Sequence, residues 1–439
     1  MDDSDGSQQG RCISSIPAYV EMCRFFLALC PVIDSPTEDK VFTARTWSCR
    51  GWCRLERAAR ELSVHDTWIL VQSSASIELV GTALSFPIDS VGDGEFTIAA
   101  DRDRLAPIVQ SLLRRKLRLC LQKRELPAYR RLLNLQTVHL RGLAAEPIKD
   151  LVPGFSARWR PKHYAALSGN VDVVEGLLQL RANPNQRTSR DVPQLGLPLW
   201  MSPLDLVFYK HNEAAQLLLA ARAHMEGGVG PALHWACNAN NAVGARLLCC
   251  AGSSPLARNL LGPNALDCAG AFGSMAALEE MLQHCHPTSL DASRALLSCS
   301  DGGRGASAKM VQRLIDLRAD VNFQRNLRRD WTLLGRMLFS AQALKHRFGT
   351  KTVGSTRAYH ASGSTALMWA LVSAQYEGAA ALLAAGARLD ICNCRGWRAA
   401  DFVKGLSIPS FLQQGLEEDP SECRRVACLA LSDDDVFEI

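Results

Sequence analysis

Two short groups of residues in this 439-residue sequence have the composition of a ligand-binding or catalytic site. The run GTKTVGST from Gly349 has two glycines five residues apart, but Ser355 stands where a phosphate-binding loop requires lysine. His284, Cys285 and His286 are potential metal ligands, yet neighbouring residues on a helix point apart, and no second pair lies at zinc-site spacing. Neither group predicts an enzyme, and we expect no metal and no cofactor.

The element that recurs most often in the sequence is a pair of short helices. Residues His163–Asn185 read HYAALSGNVDVVEGLLQLRANPN, in which Gly169 ends a first helix and a second helix follows. Apolar residues of the second helix recur at i, i+1, i+4 and i+5 and so share one face: Val173, Val174, Leu177 and Leu178. Two helices of this size cannot bury that face alone, so a neighbour of the same kind must cover it.

The pattern returns along the chain with a period of about 33 residues. The leucines that open the first helices are Leu204, Leu233, Leu266, Leu296, Leu333 and Leu367, at steps of 29, 33, 30, 37 and 34 residues. With SPLD at Ser202–Asp205, PALH at Pro231–His234 and paired leucines in the second helices, this region resembles the ankyrin repeat. The resemblance implies an α-solenoid of about seven degenerate repeats that binds other proteins.

Three segments interrupt the period, namely Thr188–Leu199, Asp301–Ala306 and Gly349–Gly363. Loops of this kind vary the choice of partner without changing a stack of repeats. We place a sixth repeat at Trp331, although no clear second helix follows Lys345. A partial closing repeat is expected at the end of the array.

Arginines stand where ankyrin repeats usually have a left-handed glycine at the helix exit. They are Arg181, Arg222 and Arg318, and we expect only Gly386 to keep the glycine. A non-glycine residue in that conformation costs about 1–2 kcal/mol. Because equivalent positions line up in a solenoid, we predict that the three arginines form a basic ridge that binds an acidic protein partner.

The sequence ahead of the repeats predicts a small α/β sheet. Phe25–Ile33 is apolar throughout, as expected for a strand buried on both faces. The stretch SCRGWCRLERAARELS predicts an amphipathic helix, and the runs Thr67–Ser74 and Ser76–Gly81 predict two further strands.

The residues IPAYV, FLALCP and RGWCRLE resemble the later half of a Toll/interleukin-receptor (TIR) module. In catalytic members of that family, a glutamate after a Trp-Cys pair works in NAD cleavage, and matching Trp52 and Cys53 puts Glu56 at that position. The resemblance therefore implies a partial TIR-like module and an alternative function, an NAD-cleaving signalling enzyme that the repeats recruit or regulate. In that family, residues ahead of these motifs form the other wall of the nucleotide site. We expect that wall to be missing ahead of the first apolar segment here, which favours a non-enzymatic protein.

A basic amphipathic helix is predicted between the two parts, with leucines among Arg114, Arg115, Lys116, Arg118, Lys123 and Arg124. One interpretation is a connector that packs its leucines against both domains. Another is contact of helix 114–124 with an anionic membrane surface. We expect no nucleic acid partner, because this stretch lacks the aromatic residues that stack on single strands.

Composition indicates a soluble globular protein, with 47% hydrophobic and 21% charged residues. The 16 cysteines are scattered through apolar helical positions and are expected to be reduced. The polar N-terminus predicts no secretory signal, and no apolar run reaches the ~18 residues of a membrane span, so we expect a cytoplasmic protein. A net charge of +5 does not by itself indicate nucleic acid binding.

These observations predict five regions and one function. The regions are a disordered N-terminus (1–10), a partial TIR-like α/β module (11–104), a basic helical connector (105–150), an ankyrin array with a closing cap (155–415) and an acidic C-terminal tail (416–439). The predicted function is that of a protein-binding scaffold or adaptor that uses the concave face and hairpin tips of the array.

Overall fold

The computed structural model describes residues 15–35, 40–74, 76–80, 90–149, 151, 166, 169–188, 200–207, 211–227, 230–301, 305–349 and 351–432. The expected disordered segment 1–10 lies outside these residues. No helix within them is long and apolar enough to cross a membrane.

The N-terminal part is an α/β unit. Its elements are α1 (15–22), β1 (Leu27–Leu29), β2 (Ile33–Ser35), β3 (Lys40–Phe42), α2 (Ala44–Cys49), α3 (Gly51–Glu61), β4 (Trp68–Val71) and β5 (Ile77–Val80). Strand β4 pairs in parallel with β1 and antiparallel with β5, whereas β2 and β3 form a separate antiparallel hairpin. The order of strand, helix and strand agrees with the α/β pattern of the sequence.

The sheet is covered on one face only. Ala28, Leu70 and Val80 are buried on that face, whereas Leu27 and Leu29 are 53% and 70% exposed. The expectation that Phe25–Ile33 is a strand buried on both faces is therefore wrong. Within this run Leu27–Leu29 form β1 and Ile33 begins β2, and the exposed side chains of Leu27 and Leu29 lie on the uncovered face.

A helical hairpin of α4 (Ala100–Gln122) and α5 (Leu126–Leu140) follows the sheet. Leu105, Leu113 and Tyr129 of this hairpin share one core with Leu55 and Ala59 of α3. The expected boundary between residues 104 and 105 falls inside α4. The hairpin thus belongs to the N-terminal body, because its leucines are buried by α3.

The repeat array consists of short helices in antiparallel pairs. The described helices are α6 (Val171–Gln179), α7 (Pro203–Val207), α8 (Asn212–Ala220), α9 (Ala232–Asn238), α10 (Ala242–Cys250), α11 (Ala265–Phe272), α12 (Met275–Leu282), α13 (Ser289–Ser300), α14 (Ala308–Asp316), α18 (Ala366–Val372) and α19 (Tyr376–Ala384). Side chains cap several helix starts, as when the Asn170 side chain accepts a hydrogen bond from the amide of Val173. The paired leucines of the second helices all contact one continuous core, as the sequence predicted: Leu177, Leu178, Leu217, Leu218, Leu247, Leu248, Leu382 and Leu383.

Residues 327–360 do not form a stacked repeat. They contain α15 (Leu327–Asp330), α16 (Leu333–Arg347) and α17 (Val353–His360), while α13 packs directly on α18 and α14 on α19. The amides of Ala306 and Ala308 donate hydrogen bonds of 2.7 Å to the side chains of Gln375 and Glu377, which join the two neighbouring repeats. The predicted sixth repeat at Trp331 is therefore wrong.

The segment is instead an insertion in the loop between two repeats. The amide of Arg325 donates to the carbonyl of Ser364 at 3.0 Å, and the amide of Gly363 donates to the carbonyl of Arg325 at 2.9 Å. These two hydrogen bonds close the loop at its base. We call residues 326–362 the finger insertion.

The C-terminal region also differs from expectation. After a 3-10 helix (Ala399–Phe402) come α20 (Ser410–Leu416) and α21 (Ser421–Ser432). Helix α21 lies in the predicted acidic tail, but its apolar face is buried against α19 and α14, with Val426 fully inaccessible. Arg425 on the same helix forms an ion pair with Asp34 of β2, which connects the array to the N-terminal unit. The described residues 421–432 are thus part of the folded body, and 433–439 lie outside the described chain.

Candidate functional site

Five of the second helices end in a residue with left-handed backbone. The φ angles are 57° at Arg181, 58° at Arg222, 102° at Gly252, 63° at Arg318 and 86° at Gly386. The arginines therefore keep the conformation that glycine normally adopts at a helix exit. The expectation that only Gly386 keeps the glycine is wrong, since Gly252 occupies the equivalent position after α10.

The same pair of hydrogen bonds surrounds each of these exits. The amides of Arg181 and Arg222 donate to the carbonyls of Leu178 and Leu219, each at 2.9 Å. The amides of Ala182 and Ala223, which follow the two arginines, donate to the carbonyls of Leu177 and Leu218. Since these bonds satisfy the last carbonyl groups of the helix, the left-handed residue is retained even where arginine makes it costly.

The side chains of Arg181, Arg222 and Arg318 lie on the surface. All three are exposed, and none makes an ion pair or a side-chain hydrogen bond with another described residue. A Cβ atom placed on Gly252 or Gly386 would meet nothing within 4 Å, so the exit position is open to solvent in those repeats as well. The guanidinium groups are therefore available to a partner.

The three arginines do not occupy consecutive repeats. Arg181 and Arg222 belong to adjacent repeats, but Gly252 follows in the third, and α12 of the fourth ends at Gln283, whose φ is −73°. Arg318 comes only in the next repeat. A basic ridge made from these exits therefore consists of the pair Arg181 and Arg222, with Arg318 separate from them.

Glu56, the glutamate that the TIR resemblance singles out, lies in the N-terminal unit. Glu56 lies on α3 and is half-buried, and this burial raises its pKa. The nearby Trp52 indole donates to Asp101 at 3.3 Å. Glu56 does not line either of two small cavities, one beside Ala166 and Val174 and one beside Asp267 and Arg294. Its role in NAD cleavage, and the TIR-like assignment itself, remain predictions.

Several cysteine and histidine residues lie in or beside the core, although Cys250 is exposed. Burial raises the pKa of the Cys249 thiol to about 11 and lowers the pKa of His234 to about 4. The described residues contain no group of three or more His, Cys, Asp or Glu side chains that could hold a metal ion. His284 lies 3.5 Å from Glu280, one turn earlier on α12.

Helix 114–124, predicted to contact a membrane surface, lacks an exposed apolar face. Arg114 and Arg118 are exposed, but Leu113 and Leu117 are completely buried in the core beneath them. The leucines of this segment are thus used for packing, and contact of its exposed basic residues with an anionic membrane surface stays a prediction.

A buried charged cluster at the base of the finger insertion was not predicted. Arg294 on α13 pairs with Asp330 at 3.0 Å, and Arg325 pairs with Asp301 at 2.5 Å. A cavity of about 20 Å³ lies beside them, and one oxygen of Asp267 has no hydrogen-bond partner there. This volume is that of a single water molecule, so the cluster holds the insertion in place and does not form a ligand site. Its members are scattered over 64 residues, and no local pattern signals them.

Comparison with known proteins supports ankyrin repeats. The family model of the ankyrin repeat matches residues 163–189, which confirms the repeat predicted at His163–Asn185. No curated protein matches the chain.

Several solved structures are similar to the chain. The human ASB11 ankyrin repeat domain is 18% identical, with 62% of this chain and 98% of that one covered and a TM-score of 0.39. The ankyrin repeat domain of Bcl-3, a member of the IkappaB family, is 19% identical over 56% and 99%, with a TM-score of 0.34. An ankyrin repeat domain from Acinetobacter baumannii AYE is 18% identical over 62% and 97%, with a TM-score of 0.31.

Proposed function

We propose that this chain is a scaffold that binds an acidic protein partner through the concave face and loop tips of its ankyrin array. Arg181 and Arg222 contribute charge complementarity at the edge of that surface, and Arg318 contributes at a separate point. Exposed charges of this kind mainly raise the rate of association and the selectivity for one partner. They contribute less to affinity.

The observation that supports this proposal most strongly is the strained backbone of the three arginines. Each is held at a φ between 57° and 63°, although glycine fits the same position in two other repeats. No described side chain compensates for the strain, because the guanidinium groups have no partner within the described chain. Unfavourable backbone that gives no packing benefit is characteristic of residues used for binding.

Reversal of charge at the adjacent pair tests the proposal. Cells expressing the tagged full chain are crosslinked, and the recovered proteins are quantified by mass spectrometry for wild type and for Arg181→Glu/Arg222→Glu. We expect recovery of the main acidic partner to fall about tenfold, because repulsion replaces attraction at the rim. The thermal unfolding midpoint should stay nearly unchanged, since both side chains are exposed.

Arg114→Glu/Arg118→Glu on α4 is the matched control. It makes the same change in net charge at two exposed arginines that lie outside the array. Recovery that is unchanged in the array variant, or that falls equally in both variants, would show that the two exit arginines do not select the partner.

A further inference from the structure

Helix α16 of the finger insertion exposes an apolar face to solvent. Six large apolar side chains of this helix, the last of them one residue beyond its end, are between 47% and 80% exposed. They are Leu333, Leu334, Met337, Leu338, Leu344 and Phe348. At 100° per residue these side chains cover an arc of about 140°. At 1.5 Å per residue, the 15-residue helix is about 22 Å long.

The opposite face of α16 is fixed to the rest of the protein. A Cβ atom on Gly335 would lie 2.4 Å from the carbonyl oxygen of Leu261, so the helix approaches that loop closely. Phe339 packs on Trp331 with ring centroids 4.3 Å apart, and His346 stacks on Tyr359 of α17 at 4.6 Å. The exposed leucines are therefore held outward by a packed helix.

The charged residues of α16 and of the segment that follows it are all basic. Between Trp331 and Tyr376 the sequence has five basic residues and no Asp or Glu. Lys345 and Arg347 are exposed: at 100° per residue Lys345 lies within the apolar arc near the Leu338 edge, and Arg347 lies beyond the Leu333 edge. Lys351 is exposed just beyond Phe348. An occupant of this face must supply both apolar surface and negative charge.

We propose that α16 binds an anionic lipid surface, with its leucines, Met337 and Phe348 in the acyl boundary and Lys345 and Arg347 at the headgroups. An apolar helix face bordered by basic side chains is the feature that places a helix in a membrane interface. A second copy of the chain fits less well, because its own α16 brings the same positive charge. This face lies on the insertion and not on the repeat stack, so it adds a site to the proposed protein-binding surface.

Flotation of the full chain with vesicles tests this proposal. The probes are vesicles of phosphatidylcholine alone and vesicles with 30 mol% phosphatidylserine. We expect wild type to partition at least about tenfold more strongly onto the phosphatidylserine vesicles, and high salt to reduce the difference.

Two variants locate the contact on α16. Leu344→Ser/Phe348→Ser removes exposed apolar surface, and Lys345→Glu/Arg347→Glu reverses the charge at two basic residues. Each should reduce partitioning about tenfold or more. All four side chains are exposed, so both variants should fold, and circular dichroism verifies this.

The α4 variant Arg114→Glu/Arg118→Glu controls for net charge and should lose far less binding. An equal loss in that control, or unchanged binding in both α16 variants, would overturn the proposal. Failure of wild type to partition onto either vesicle would also overturn it. In that case sedimentation velocity tests for a second copy as the occupant, which a dimer that disappears in Leu344→Ser/Phe348→Ser would indicate.

Discussion

At the scale of single residues, the array contains groups whose native environment opposes their preferred state. Left-handed arginines are one example, and buried carboxyl groups at helix starts are another. Asp205 accepts a hydrogen bond from the amide of Ser202 at 2.7 Å, yet it is almost completely buried. From such residues we derive specific predictions about the stability of the chain.

Arg222→Gly should stabilise the chain by about 0.5–1 kcal/mol. Glycine removes a left-handed cost of about 1–2 kcal/mol, and its greater freedom in the unfolded chain offsets part of that gain. Gly252→Arg is the reciprocal variant and should lose a similar amount, since its φ is 102°. Chemical denaturation measures both, and a destabilised Arg222→Gly would mean that the guanidinium stabilises the fold.

Asp205→Asn should change how stability depends on pH. Burial raises the pKa of Asp205 to about 6, from 3.8 in the unfolded chain. The native state therefore keeps the proton after the unfolded state has lost it, and this group destabilises wild type as the pH rises from about 4 to about 6. The asparagine variant cannot ionise and can still accept the Ser202 hydrogen bond. Its stability relative to wild type should increase by about 1–3 kcal/mol across that interval and then level off. Parallel pH profiles would contradict this assignment.

At the scale of elements, α21 closes the stack by covering α19. Cys423, Val426, Ala427 and Ala430 are buried on one side of this helix. A terminal repeat that left its apolar face open would make an array insoluble, and capping elements prevent this. Helix α21 therefore closes the stack. The sequence predicted this role for a partial repeat that ends before α21.

Val426→Asp should destabilise the array by about 3 kcal/mol or more, because it buries an unpaired carboxylate at a fully inaccessible position. Cys428→Asp makes the same charge change at an exposed position of α21 and should change stability by less than about 0.5 kcal/mol. The unfolding midpoint in urea compares the two. Equal effects would show that residues 421–432 behave as a tail in solution.

At the scale of the whole molecule, the N-terminal unit and the array are joined. Val41 of β3 belongs to the core of the array, and the guanidinium of Arg45 donates to the carbonyl of Gly273 at 3.1 Å. The ion pair between Arg425 and Asp34 adds a third connection. The chain is therefore a connected body and not a module and an array joined by a linker.

The sequence predicts features that repeat locally and misses those that depend on distant contacts. Paired leucines and helix exits revealed the stack and the positions of Arg181, Arg222 and Arg318, because each signal lies within about 33 residues. Leu333 fitted the period by its spacing and its type, although α16 lies outside the stack. Only the direct packing of α13 on α18 distinguishes an insertion from a repeat, and no periodicity contains that information.

The same reasoning explains the errors at the two ends. The acidic residues at the C-terminal end predicted a tail over 416–439, and the buried face of α21 became evident only through contact with α19 and β3. The leucines of α4 predicted an amphipathic helix correctly, but their partner could have been α3, the array or a membrane. Amphipathicity shows that a face must be covered and does not identify what covers it.

The base of the finger insertion has a consequence for engineering. Arg325 is hydrogen-bonded through its backbone to both Gly363 and Ser364, so the two ends of the insertion lie a short distance apart. Any folded domain whose own termini meet at that distance can replace what lies between them, and the flanking repeats stay in register. A fluorescent reporter grafted there would turn this scaffold into a sensor without interrupting its stack.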